Sequence, residues 1–141
     1  MTQLSTHFSL AEMTVTTTGL NNSPNAQQLA NLKATAQAME AVRKLLGAPI
    51  TVNSAFRSAA VNRAVGGSPT SAHAQGFAVD FVCPKFGDPM TICKAIAASG
   101  IKFDQLIMEK NRWVHLGFGP GSRQQVLSWW GGKYLPGLVA K

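Results

Sequence analysis

The sequence predicts an α+β fold: a small, mostly antiparallel sheet with helices packed around it. Three observations carry that expectation. One long helical stretch, residues 25–46, shows apolar residues at spacings of three and four. Short apolar runs of strand length are bounded by Gly and Pro. Two of those runs, 103–109 and 113–118, are separated by a connection short enough for an antiparallel hairpin.

The elements follow in order along the chain. Residues 1–25 are polar and rich in Thr, Asn and Ser, with "HFSLAEM" as a short helix start, and read as an N-terminal arm. In 25–46, Leu29, Leu32, Ala36, Met39, Val42 and Leu46 form one apolar stripe; Ser23 or Asn25 caps its start and Gly47 ends it. "PITVNSAF", 49–56, reads as a strand. A short helix at 58–65 ends at Gly66-Gly67. The loop Ser68-Pro69-Thr70 leads to a second strand, 76–82. Asp88-Pro89 supplies a cap and a first-turn proline for a helix to about Ser99, closed by Gly100. Strands at 103–109 and 113–118 follow, and 119–141 reads as a tail packed on the domain, with a Gly-Gly break. The chain of 141 residues thus reads as one domain with a real core.

Composition narrows the function. The formal charge of +7 favours polyanions and suits weak contact with an anionic membrane or wall. The basic residues are scattered, without a like-charge run or interleaved aromatics, so a nucleic-acid partner is not expected. The pair Trp129-Trp130, with Lys133 and Lys141, has two readings, membrane contact and core packing, and core packing is favoured. No apolar run is long enough to span a membrane, and the N-terminus lacks the basic and apolar regions of a secretory signal. Synthesis in a cytoplasm is therefore expected. Cys83 and Cys93 can pair, but read as small buried hydrophobes; nothing demands more than a monomer.

The residues able to do chemistry are few: 3 histidines and 6 carboxylates. In "SAHAQGFAVDF", 71–81, His73 precedes a glycine turn and Asp80 lies within an apolar strand. A carboxylate there is costly to bury without a neutralising partner, and a metal ion is one. Gly76 lets the chain turn so that both face one ion. In "DQLIMEKNRWVHLGF", 104–118, His115 lies in another apolar strand, with Trp113 on the same face. If Lys110-Asn111-Arg112 is the whole connection, Glu109 lies opposite Trp113 and shares a face with His115; a two-residue loop would turn Glu109 away. Asn111 suits a left-handed position there. Two histidines and one carboxylate form an open site of the hydrolytic kind. Glu109 is the candidate base, with Asp104 as runner-up. Each residue also has a plain structural reading: strand histidines pack, Asp80 can pair with Arg57, Glu109 can be a solvated turn residue. His7 reads as structural.

These motifs resemble a family. "SAHAQGFAVD" is similar to the SxHxxGxAxD motif of zinc D-Ala-D-Ala carboxypeptidases and L-alanyl-D-glutamate peptidases, a group with many phage endolysins. "NSAFRSAAVNRAVGG", 53–67, resembles their S-x-[FY]-R-S-x-x-x-N segment, and "DQLIMEKNRWVHLGF" their E…WVH segment. The three occur in family order. The resemblance implies His73, Asp80 and His115 as ligands of one zinc ion and Glu109 as catalytic acid/base. Some members instead carry an aspartate three residues before the last histidine; here Arg112 stands there and cannot serve. Arg57 matches an arginine that approaches the substrate carbonyl or carboxylate, a task suited to a guanidinium fork. Ser71 either contacts substrate or a ligand or shapes the turn, and Trp113 is a further expected substrate contact. The implied partners are peptidoglycan stem peptides, cut after release to the cell wall, as by a phage endolysin. The bond cut, terminal D-Ala or L-Ala-D-Glu, stays open. Hedgehog-type domains of the same fold keep zinc without established peptidase action, so a zinc-stabilised, non-catalytic binding or virion component is the alternative.

Overall fold

The computed structural model describes residues 2–119 and 121–141. Among them the chain forms helices α1 (Leu10–Met13), α2 (Ala26–Leu46), α3 (Ala59–Ala64), α4 (Ala72–Gln75) and α5 (Pro89–Ala98). The strands are β1 (Thr51–Ser54), β2 (Ala78–Val82), β3 (Gln105–Glu109), β4 (Trp113–Gly117), β5 (Gln125–Trp129) and β6 (Tyr134–Pro136). They make one sheet in the order β1-β2-β4-β3-β5-β6, antiparallel except for the parallel pair β3–β5. The α+β expectation holds. No helix among the described residues is long and apolar enough to cross a membrane.

The sheet has two unlike faces because side chains alternate along each strand. Val79, Phe81, Leu106, Met108, Val114 and Leu116 occupy one face, and each is fully buried. They pack with Leu32, Ala36, Met39 and Val42 of α2 and Ile92, Cys93 and Ile96 of α5 in one core. The arm joins it: Leu4, Phe8 and Met13 are buried there. Both cysteines are buried and free. Burial and the Asp88 charge push the Cys93 thiol up to about 12. The opposite face carries Asp80, His115, Ile107, Glu109 and Trp113 and forms the floor of a cleft.

The helix ends follow local chemistry. Asn25 caps α2 reciprocally with Gln28, and Gly47 ends it in the left-handed region at φ 61°. Ser58 caps α3, and Asp88 caps α5 with Pro89 in its first turn.

Two features depart from expectation. The stretch before β2 is not all loop: residues 72–75 make the single turn α4, and β2 begins at Ala78. The tail folds into two strands, β5 and β6, which extend the sheet beyond β3. Trp130 does pack against the core, its indole N–H donating to the Val139 carbonyl at 2.8 Å. Trp129 instead lines the cleft.

Gly76 ends α4 at φ 85°, and a Cβ there would lie 2.8 Å from the Gln28 carbonyl oxygen. Only glycine fits both the backbone conformation and the close approach of α2. Gly76→Ala is expected to cost about 2–4 kcal/mol, combining left-handed strain with overpacking. A urea unfolding midpoint equal to that of the unsubstituted protein would refute this.

Candidate metal centre and cleft

The site is built by α4, β2, β3 and β4. Ser71 caps α4, its hydroxyl accepting from the His73 backbone N–H at 3.2 Å. That cap is its turn-forming role, and the residue also lines the cleft. The cap and Gly76 fix the turn that carries His73, and the Arg57 N–H donates to the His73 carbonyl at 3.1 Å. Asp80 faces His115 directly across β2 and β4.

His73 is buried, and its Nδ1 lies 2.7 Å from the Ala55 carbonyl oxygen. A carbonyl only accepts, so Nδ1 donates to it and Nε2 is the ring nitrogen turned towards the site. That nitrogen lies 3.1 Å from Asp80 Oδ1, and His115 Nδ1 lies 2.9 Å from the same oxygen. Two imidazole nitrogens and a carboxylate oxygen that converge on one point are a donor set that zinc takes. The donor chemistry thus fits a cation. Ligand atoms of His73, Asp80 and His115 lie within 4.8 Å of one another, a group that could hold one metal ion. The Nδ1–carbonyl bond is the kind of outer contact that orients a ligating imidazole.

Asp80 is also paired with Arg57. Its Oδ2 accepts from Arg57 Nη2 at 3.3 Å, while Arg57 Nε donates to Ser54 Oγ at 3.1 Å. Burial alone would raise the Asp80 carboxyl, but the charges and hydrogen bonds of His73 and His115 outweigh it. They hold Asp80 well below the ordinary carboxylate range. The alternative reading of Arg57, an ion pair with Asp80, is therefore present, and the same side chain lines the cleft.

Glu109 depends on the turn between β3 and β4. Lys110, Asn111 and Arg112 are the whole connection, and Glu109 pairs with Trp113. Lys110 and Asn111 sit at φ 53° and 54°. Asn111 also ties the turn to the start of α5, accepting from the Met90 N–H at 2.8 Å and donating to Asp88 at 3.2 Å. Glu109 consequently shares the cleft face with His115. Burial raises its carboxyl above the ordinary value and the Asp80 charge adds to this, while His115, Arg57 and Lys110 pull it partly back.

Asp104, the other carboxylate near the cleft, is engaged elsewhere. Arg123 grips both its oxygens, Nε to Oδ1 at 2.8 Å and Nη2 to Oδ2 at 2.9 Å. This pair ties the residues just before β5 to the one just before β3, so Asp104 is a structural anchor and not a free base. His7 likewise pairs with Glu40, Nδ1 to Oε1 at 2.6 Å, tying the arm to α2.

The cleft encloses about 640 Å³. Arg57, Ser71 and Trp113 all line it, together with His73, Asp80, His115 and Glu109. Trp129, Tyr134 and Arg123 line it as well. Reasoning from the sequence did not place these three there. The available signal was the Gly131-Gly132 dipeptide between "QVLSW" and "KYLP", which is a hairpin pattern.

No curated protein matches the chain significantly. The profile of the peptidase M15 family matches residues 6–117. That span runs from the arm through β4 and takes in every residue of the candidate metal centre as well as Glu109, so the chain belongs to the peptidase M15 family, whose members are zinc-dependent peptidases.

Proposed function

We propose that the chain hydrolyses peptide bonds in peptidoglycan stem peptides, with one zinc ion held by His73, Asp80 and His115. The observation that carries this reading is Glu109: a half-buried carboxylate with a raised pKa shares one cleft face with the three ligand candidates. Zinc, when bound, supplies Lewis acidity that polarises a carbonyl and acidifies water. Glu109 accepts the proton of the attacking water and returns it to the leaving amine. Arg57 presents guanidinium N–H groups to the carbonyl oxygen as negative charge develops on it. Trp113 and Ser71 bound the groove in which the peptide lies. The excess of positive charge, +7, suits an anionic wall and supports a cell-wall-degrading role of the endolysin kind, exerted outside the compartment of synthesis and by a monomer.

The test is digestion of purified peptidoglycan by the zinc-loaded protein, with the soluble products resolved by mass spectrometry. New termini at a stem-peptide bond are expected, and their identity separates a D-Ala-D-Ala carboxypeptidase from an L-Ala-D-Glu endopeptidase. Zinc binding without cleavage would overturn the peptidase reading and favour the non-catalytic binding component.

A further inference from the structure

Strands β5 and β6 lie beyond residues 6–117, the span shared with the family. They nevertheless build part of the cleft. Across the sheet, Trp113, Glu109, Trp129 and Tyr134 stand in one row: Trp113 opposes Glu109, Glu109 opposes Trp129, and Trp129 opposes Tyr134. Opposed residues project from the same face. The order across that face is fixed: Asp80 and His115 on β2 and β4, Glu109 on β3, then Trp129 and Tyr134 on β5 and β6.

The aromatic pair is held in place. The Lys110 N–H donates to the Trp129 carbonyl at 2.8 Å, and Lys110 Nζ lies 5.0 Å from the Trp129 ring centroid. The Tyr134 ring lies 6.3 Å from that of Trp129, tilted by 37°. Tyr134 is 54% exposed and Val65 is 52% exposed, and both line this cleft. Exposed apolar side chains gathered at a groove mark a surface that something covers. Tyrosine suits such a task, with a broad face and a polar tip. Burial and the charges of Glu109 and Asp80 raise the Tyr134 phenol, so it stays a hydrogen-bond donor.

We propose that Trp129 and Tyr134 form the leaving-group wall of the cleft, binding the peptide segment C-terminal to the scissile bond, with the Tyr134 hydroxyl donating to a carbonyl or carboxylate of that segment. The direction follows from the order of strands and rests on the proposed function. The carbonyl is held over the ligand triad and its amine meets Glu109, so the chain beyond the amine continues towards β5 and β6.

Steady-state cleavage of soluble muropeptides tests this with Tyr134→Phe, Tyr134→Ala and Val139→Ala, the last an exposed tail position outside the cleft. Tyr134→Ala is expected to raise KM at least tenfold with kcat within threefold. Tyr134→Phe should raise KM about threefold, Val139→Ala should match the unsubstituted protein, and melting temperatures should agree. KM within twofold for Tyr134→Ala, or a loss confined to kcat, overturns the wall. Should the unsubstituted protein cleave nothing, the peptidase reading fails, and the wall is judged by titrating tryptophan fluorescence with the same muropeptides in Glu109→Gln. Tenfold weaker binding on adding Tyr134→Ala sustains the wall; equal binding, or none in either protein, overturns it.

Discussion

Glu109→Gln is expected to lower kcat for peptide hydrolysis by about 10²–10⁴-fold, the usual share of a positioned acid/base, while zinc binding is retained. The amide keeps the shape of the carboxylate but cannot take up a proton. Glu109 is also separate from the cluster of ligand atoms formed by His73, Asp80 and His115, so its replacement leaves the donor set intact. The carboxylate is set for proton transfer by its surroundings: burial and the nearby Asp80 charge raise its pKa. A base must be ionised to act, so the rate of the unsubstituted protein should fall as pH drops through the Glu109 pKa. That acid limb should vanish in Glu109→Gln. A kcat within threefold of the unsubstituted value, at equal zinc content, would remove Glu109 from the chemistry. Asp104 would not then take its place, because both its oxygens are held by Arg123.

Much of this site is legible in the sequence, because its parts are short-range. Asp80 is conspicuous as a carboxylate in an apolar strand, and the period of two fixes which neighbours share its face. The same alternation made the length of the 110–112 connection decisive, since one residue fewer would have turned Glu109 into the core. The four-residue turn carrying His73 is too short for any helical period to show, and it depends on the Ser71 cap and on Gly76 packing against α2. The hairpin β5–β6 lacks a clean alternation because it sits at the sheet edge and is half-buried or exposed along most of its length. The Arg123–Asp104 pair joins residues 19 apart in the chain, and neither sequence neighbourhood names the other. Of the two readings of Arg57, the ion pair with Asp80 is present in the fold, and the same side chain lines the cleft.

Zinc at about 100 times its dissociation constant is expected to stabilise the protein by about 2.7 kcal/mol, raising Tm by roughly 5–15 °C for a domain of this size. The two histidines should then separate. Each alanine substitution removes one of the three candidate ligands, so zinc should shift the Tm of neither variant as it shifts the unsubstituted protein. Without zinc they differ. His115 is partly exposed and its ring contacts Asp80 and His73, so His115→Ala should cost about 1 kcal/mol or less. His73 is buried and donates to the carbonyl of Ala55, itself fully buried. His73→Ala leaves that carbonyl unpaired and a cavity beside it, and should cost about 2–4 kcal/mol. Thermal melts of the chelated and zinc-loaded proteins read both effects. Equal costs in the chelated state would mean that the Nδ1–carbonyl bond does not hold the ring. An undiminished zinc shift in either variant would place the ion elsewhere, and with it the chemistry assigned to Glu109.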